Sequence, residues 1–113
     1  MKKWIEAGGA HQFPFMGAAS RMLKGERAIA CPQCGAAALR GYVHLFQPAT
    51  RTGTIWVWCS TCRTTIHLPR VTPQVDLGPD PFAALTLDEL DALERAEPLL
   101  DRLDRLWDQG ALG

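Results

Sequence analysis

The chain of 113 residues contains no apolar run that approaches the length of a membrane span, about 18 residues. Its opening stretch, MKKWIEAGGAHQF, starts with basic residues but lacks the apolar segment of a secretory signal. A net charge is also absent, because 12 basic and 12 acidic side chains balance at neutral pH. Hydrophobic residues make up 47% of the chain, enough for a modest core. These features predict a soluble cytoplasmic protein of a single domain.

The sequence also lacks the patterns that mark most active sites. It has no Ser-His-Asp arrangement, no paired-carboxylate pattern and no glycine-rich phosphate loop. His44 and His67 fall in predicted strands, where a packed or surface histidine is more frequent than a catalytic base. The sequence therefore predicts a protein that is not an enzyme.

Cysteine is scarce, and its positions are regular. The only four cysteines occur in CPQCG at 31–35 and CSTC at 59–62. Two Cys-x-x-Cys turns that face each other supply four sulfur atoms at the corners of a tetrahedron, the closed coordination that structural Zn²⁺ accepts. Pro32 and Gly35 suit such a turn, because proline fixes φ and glycine permits a positive φ. The predicted zinc ligands are Cys31, Cys34, Cys59 and Cys62.

Two other uses of the cysteine pairs remain open. The cysteines could form two disulfides, or one pair could be a redox couple of the thioredoxin type, although no βαβ pattern surrounds either pair. The 24 residues between the pairs exceed the usual spacing of about 15 to 20 residues. A long β-hairpin accounts for the excess. Cysteines confined to metal-like pairs also agree with a reducing compartment.

Three segments have the composition and alternation of β-strands. LRGYVHLF and TIWVWC flank the loop QPATRTG, and TTIHL follows the second cysteine pair. These segments predict an antiparallel hairpin with a third, returning strand. Residues 1–26 are predicted to be an irregular segment that packs on the hairpin, broken by Gly8, Gly9 and Pro14. Within it we expect a short helix, GAASRMLKGE, that ends near Gly25, and a brief strand in the following RAIA.

The order of cysteine pair, hairpin, cysteine pair and returning strand resembles a zinc ribbon of the rubredoxin-like kind over residues 27–70. CPQCG and WCSTC carry this resemblance, and all four cysteine positions match. The start KKWIEA followed by a ribbon also resembles small bacterial zinc-ribbon proteins, which include candidate immunity partners of secreted toxins. The resemblance implies a small metal-stabilised α+β domain, with a three-stranded antiparallel zinc ribbon at 27–72, a C-terminal kinked helix and a bound zinc ion.

The C-terminal part of the sequence predicts a linker followed by an acidic helix. Residues 73–85 contain three prolines and a glycine, which is typical of an extended linker. Residues 86–108 begin with the capping-box pattern TLDE and carry leucines at helical spacing. Pro98 lacks an N–H group and clashes with the preceding turn, so we expect it to kink the helix or divide it into 86–97 and 98–108. The apolar stripe is predicted to cover the ribbon, with dimerisation or docking to a partner as alternatives.

Charge is distributed unevenly along the chain. Residues 21–72 carry seven basic side chains and one acidic side chain, whereas residues 73–113 carry ten acidic and three basic ones. The two regions therefore have net charges of +6 and −7. A basic half and an acidic half either attract each other or bind two different partners.

The predicted hairpin has apolar side chains on both faces. Strand parity places five rings on one face and four aliphatic side chains on the other: Tyr42, His44, Phe46, Trp56 and Trp58 against Val43, Leu45, Ile55 and Val57. We expect one face to lie beneath the N-terminal segment and the other against the C-terminal helix. An open aromatic face near Arg40 and Arg51 is the alternative, and it would stack nucleobases or hold a partner protein.

These observations leave three functional hypotheses. The favoured one is a non-enzymatic adaptor or immunity-type inhibitor, in which the acidic helix points its carboxylates outward at the basic surface of a partner protein. The second is a ribbon that binds nucleic acid, although its cations are dispersed and the acidic helix would repel phosphate. The third is an auxiliary subunit of a larger enzyme complex. The candidate partner-binding residues are Asp91, Glu94, Asp101, Asp104 and Asp108 on the helix, and Tyr42, Trp56 and Trp58 on the hairpin.

Overall fold

The computed structural model describes residues 3–76 and 80–112. In chain order, the strands and helices are β1 (Ile5–Glu6), α1 (Gln12–Leu23), β2 (Leu39–Gln47), β3 (Thr52–Cys59), β4 (Thr64–Val71), α2 (Leu87–Ala96) and α3 (Leu99–Asp108). Short 3-10 turns span Gly9–His11 and Pro48–Thr50. The protein is a small α+β domain with one mixed sheet. Residues 77–79 of the predicted linker, and residues 1 and 2 of the predicted N-terminal segment, lie outside the described residues.

The three predicted strands form most of the sheet. β2 pairs with β3 and β3 with β4, both antiparallel. A fourth strand, β1, pairs parallel to β4 through hydrogen bonds from Ile5 N to Arg63 O (2.8 Å) and from Ala7 N to Thr65 O (2.7 Å). The expectation of three antiparallel strands was therefore incomplete, because a two-residue strand has no periodicity to detect. The strand order is β1-β4-β3-β2, so β2 lies at one edge.

The N-terminal segment is more helical than its composition predicts. α1 begins at Gln12, and Pro14 lies within its first turn. The prediction that Pro14 breaks this segment is wrong, because the N–H groups of the first turn have no helical partner and a proline there loses nothing. The predicted strand in RAIA is also wrong, since residues 27–30 lie in no strand and Ala28 has a φ of 58°.

Both faces of the sheet are buried, as expected. On one face, α1 packs Phe15, Ala18 and Ala19 against aliphatic strand residues that include Ile55 and Val57. The opposite face, which we call the aromatic face, has its own core under α2 and α3. The buried members of that core are Tyr42, Trp58, Phe82, Leu90, Leu99 and Leu103.

Pro98 divides the C-terminal helix in two, as predicted. Thr86 and Glu89 form the capping box at the start of α2, each side chain accepting a hydrogen bond from the backbone of the other residue. α2 ends at Ala96, and α3 begins directly after Pro98. In the part of the chain that the structure describes, none of the helices has the length and apolar character that a membrane crossing requires.

Truncating Leu103 should release α3 from the aromatic face. The side chain of Leu103 is 0% exposed, so Leu103→Ala should lower the free energy of unfolding by about 2 to 5 kcal/mol. Leu87 in α2 is 41% exposed and supplies a matched control, for which Leu87→Ala should cost less than about 1 kcal/mol. Urea denaturation of the metal-loaded protein, followed by tryptophan fluorescence, measures both losses. Equal losses would contradict this packing.

Candidate metal centre

The four cysteines come from two turns at the same end of the sheet. The first turn, Cys31–Cys34, lies before β2, and the second, Cys59–Cys62, connects β3 to β4. The four sulfur atoms lie within 4.8 Å of one another. The Sγ atoms of Cys31 and Cys62 are 3.7 Å apart, and those of Cys34 and Cys59 are 3.6 Å apart. Among the histidine, cysteine and acidic side chains of the described residues, these four cysteines form the group that is close enough together to hold a metal ion.

This geometry fits one tetrahedral metal ion. An ion with metal–sulfur bonds of about 2.3 Å at the centre of a regular tetrahedron requires sulfur–sulfur distances of about 3.8 Å. A disulfide instead requires sulfur atoms about 2.05 Å apart. The distances of 3.6 and 3.7 Å match the first arrangement, and each joins sulfur atoms of different turns. Four thiolates would complete the coordination shell and leave no open position.

The two turns share one backbone conformation although their sequences differ. The residue after each second cysteine, Gly35 or Arg63, has a positive φ, of 76° and 63°. Its N–H donates to the carbonyl oxygen of the first cysteine of the pair, at 2.9 Å in both turns. Glycine adopts this conformation readily, whereas arginine adopts it at a cost of about 1 to 2 kcal/mol. Arg63 must therefore gain stabilising contacts elsewhere.

The environment of the cluster shifts the pKa values of its thiols in opposite directions. Burial raises the pKa of Cys31 to about 12 and also raises the pKa of Cys59. Burial acts in the same direction on Cys62, but hydrogen bonds with the hydroxyl and backbone of Thr64 and with the thiols of Cys31 and Cys59 together outweigh it and lower the pKa of Cys62 to about 7. One sulfur therefore ionises near neutral pH beside sulfurs that hold their protons, and a bound cation would stabilise the thiolate form of all of them.

Arg63 links the second cysteine turn to α3 and to the N-terminal segment. Its guanidinium donates to Asp101 Oδ1 at 2.8 Å and lies over the ring of Trp4, 3.9 Å from the ring centroid. The Trp4 indole N–H donates to the same Asp101 oxygen, also at 2.8 Å. One carboxylate thus joins three parts of the chain, and these contacts offset the backbone strain at Arg63.

Asp104, one turn further along α3, likewise accepts hydrogen bonds from side chains of β2 and β3. Its Oδ1 accepts from Arg40 Nη1 at 2.9 Å and from the indole N–H of Trp58 at 2.8 Å. Arg40 also pairs with Asp108 at 2.8 Å. The expectation that the helix carboxylates point outward is therefore wrong for Asp101 and Asp104, because they satisfy arginine and indole donors that packing would otherwise bury without partners.

The remaining candidate partner-binding residues occupy varied positions. Asp91 and Glu94 on α2 are exposed, and Glu94 also accepts from the backbone N–H of Leu99. Tyr42 and Trp58 are buried under the C-terminal helices. Trp56 is half-buried and stacks between Tyr42 and His67. The aromatic face is therefore packed inside the protein, as favoured, and the alternative of an open face for a partner does not hold for Tyr42 and Trp58.

His44 is fully buried and belongs to a polar network that sequence patterns do not reveal. Its Nε2 lies 2.7 Å from the carbonyl oxygen of Leu85, and its Nδ1 lies 3.2 Å from the Tyr42 hydroxyl. Tyr42 donates to Asp80 Oδ1 at 2.6 Å, which also accepts from the N–H of Phe82. Burial, together with the Asp80 carboxylate, raises the pKa of Tyr42. The network joins β2 to the segment before α2, and the separation of about 40 residues hides it from any local pattern.

Comparisons with known protein families, with characterised proteins and with solved structures find no match to this chain.

The purified protein should contain one metal ion per chain. Cys59→Ser should remove most of the metal and loosen the hairpin, because the binding free energy of a structural metal is also folding free energy. Ser60→Ala provides the control, since Ser60 lies in the same turn but its backbone N–H, and not its side chain, bonds to Ala38. Elemental mass spectrometry and circular dichroism measure both effects. Full metal content in Cys59→Ser would contradict the proposed ligand set.

Metal binding should strengthen as the pH rises. Cysteine binds metal as the thiolate, so each thiol that is protonated in the metal-free protein must release a proton on binding. With a pKa of about 12, Cys31 is protonated at neutral pH. The apparent affinity should therefore rise about ten-fold per pH unit for each proton released, between about pH 6 and pH 8. Competition with a chelator of known affinity measures this slope, and a slope of zero would rule out these protonation states.

Proposed function

We propose that the protein is a non-enzymatic zinc-ribbon protein that acts by binding another protein. The metal holds the hairpin and its two cysteine turns as a rigid platform. The exposed charge on α2 then meets a basic surface on the partner, and the protein acts as an adaptor or inhibitor.

The donor set supports zinc as the metal. Four thiolates in a tetrahedron are a frequent structural site for Zn²⁺, whereas Mg²⁺ and Ca²⁺ prefer oxygen ligands. The order of cysteine turn, β-hairpin, cysteine turn and returning strand supports the zinc-ribbon assignment. A closed sulfur shell also supports a structural role, because catalytic zinc keeps one position open for water or substrate.

The proposal rests on one observation: some charged side chains pair with each other inside the protein, and others remain exposed. Arg40 and Arg63 of the ribbon pair with carboxylates of α3. The outward carboxylates lie mainly on α2, where Asp88, Asp91 and Glu94 are three residues apart and exposed. We call these three residues the α2 acidic face. Fixed charges on a short, capped helix accelerate encounter with a surface of opposite charge and favour the correct orientation.

The same division favours a protein partner over nucleic acid. A ribbon that binds nucleic acid needs accessible cations and aromatic platforms. Arg40 and Arg63 are instead held by α3, and the rings of Tyr42 and Trp58 are buried. The exposed acidic face would also repel phosphate groups.

Charge reversal on the acidic face should slow association with the partner. The double variant Asp88→Lys, Asp91→Lys leaves the capping residues Thr86 and Glu89 in place. We expect its association rate to fall about ten-fold or more at low salt and the difference from the parent to shrink at high salt. The partner is first recovered from the source cells with the metal-loaded parent protein and is then used in purified form.

A control variant with the same change in net charge distinguishes an effect of the α2 acidic face from an effect of the overall charge. The variant Glu6→Lys, Glu26→Lys alters two exposed carboxylates outside α2, one in β1 and one in the loop after α1. It should associate nearly as fast as the parent. If both double variants keep their metal and associate equally fast, α2 has no part in binding. Tight binding of DNA or RNA by the parent at low salt would support the nucleic-acid hypothesis instead.

A further inference from the structure

A shallow groove of about 440 Å³ lies between the end of β2 and the start of α2. One side is formed by Leu45, Phe46 and Pro48, and the other side by residues 83–88. Both stretches lie wholly within the described residues. We call this feature the α2 groove.

The second side of the α2 groove is held against the sheet by contacts just before α2. His44 Nε2 lies 2.7 Å from the carbonyl oxygen of Leu85. Phe82 is buried and packs edge-on against Tyr42, with ring centroids 5.9 Å apart. Residues 83–88 are therefore positioned by described contacts with β2.

The groove is lined mainly by apolar side chains that remain accessible. Leu87 is 41% exposed. Pro48 and Ala84 are exposed, and Leu45 and Phe46 are partly exposed. Neighbouring apolar side chains that stay accessible together are typical of a contact surface.

A bulge at the end of β2 presents Phe46 to the groove. Leu45 pairs with Gly53 and Gln47 pairs with Thr52, so Phe46 has no partner residue in β3. Bulges re-aim a side chain and are frequent next to functional sites. The ring of Phe46 thus lines the groove at a point where regular pairing is interrupted.

The rim of the groove on the side of α2 belongs to the α2 acidic face. Asp88 lines the groove itself, and Asp91 and Glu94 follow at three-residue steps along the helix. An apolar centre beside a charged rim is the usual anatomy of a protein interface, in which buried apolar side chains supply most of the affinity. Apolar and acidic contacts are therefore available side by side.

We propose that the α2 groove takes an apolar side chain from the same basic segment of a partner that the α2 acidic face attracts. This inference rests on the proposed function and adds the chemistry of the contact. The partner segment carries a residue such as leucine, methionine or phenylalanine close to lysine or arginine. The apolar side chain gains affinity through burial against Phe46 and Leu87, while the basic residues accelerate encounter.

The carboxylates at the rim favour a basic protein segment over other occupants. A second copy that docked symmetrically through this groove would bring its own Asp88 and Asp91 against those of the first copy. Nucleic acids and anionic membrane surfaces carry phosphate groups, which the same carboxylates would repel.

Phage-displayed random nonapeptides, panned against the full-length metal-loaded protein, provide a probe of the groove. We expect the enriched peptides to share an apolar residue with lysine or arginine nearby. The strongest peptide is then synthesised with a fluorescent label, and its affinity is measured by anisotropy. The absence of enriched peptides of this kind would overturn the proposal.

The variant Leu87→Glu distinguishes the apolar contact from charge attraction. The change adds a carboxylate to the first turn of α2, where it suits the helix dipole, so the fold should be kept. We expect the affinity for the peptide to fall about ten-fold or more, because the bound apolar side chain would desolvate the new charge. If charge alone held the peptide, the same variant would bind it more tightly, and the proposal would be wrong.

A matched pair of alanine variants tests the position of the site. Leu87→Ala and Ile5→Ala each remove an exposed branched side chain, and Ile5, which is 60% exposed, lies in β1 and does not line the groove. Leu87→Ala should weaken peptide binding about five-fold. Ile5→Ala should leave it unchanged, and equal affinities would contradict the proposed location. Circular dichroism and metal content verify that every variant is folded.

The charge-reversed variant Asp88→Lys, Asp91→Lys separates failure of this inference from failure of the proposed function. If it associates more slowly with the partner but Leu87→Glu binds the partner as tightly as the parent does, the acidic face binds and the groove does not. If Leu87→Glu alone weakens binding, the partner is not basic and the proposed function fails. A dimer in sedimentation that Leu87→Glu dissociates would assign the groove to a second copy.

Discussion

Two carboxylates on α3, Asp101 and Asp104, hold the parts of this protein together. Each accepts from one arginine and one indole N–H of the preceding chain. Trp58 is fully buried, so its N–H group would lose hydrogen-bonding water on folding without such an acceptor. Arg40 and Arg63 of the basic half are thus paired with acidic side chains of α3. These ion pairs orient α3 over the aromatic face, where Leu99 and Leu103 of α3 are buried.

The cysteine cluster and these carboxylates meet at Arg63. The second cysteine turn requires a left-handed backbone immediately after Cys62, and arginine rather than glycine occupies that position. Its guanidinium reaches Asp101 and Trp4, so the turn that holds two sulfur atoms is itself anchored by α3 and the N-terminal segment. This arrangement couples the geometry of the cysteine cluster to the docking of the last helix.

Local patterns in the sequence predicted much of the fold and the cysteine cluster. Alternating side chains located β2, β3 and β4, and the capping box and Pro98 located the two C-terminal helices. Helical spacing did not reveal that Asp101 and Asp104 face the sheet, since a carboxylate beside an apolar stripe is equally compatible with solvent. The uneven distribution of charge along the chain was the one sequence feature that indicated this pairing. It was equally compatible with attraction between the two halves and with binding of each half to a different partner. β1 was missed because two residues are too few for a periodic pattern.

The sequence by itself determined which residues could form strands, helices and a four-sulfur site, because those properties depend on neighbours one to four residues apart and on the rigid spacing within each cysteine pair. The tertiary structure decided which charges and rings remain accessible. That outcome depends on contacts between residues far apart in the chain, such as Tyr42 with Asp80 and Trp4 with Asp101. It also decided that β2 lies at one edge of the sheet, since strand order is set by long-range pairing and not by the composition of β2.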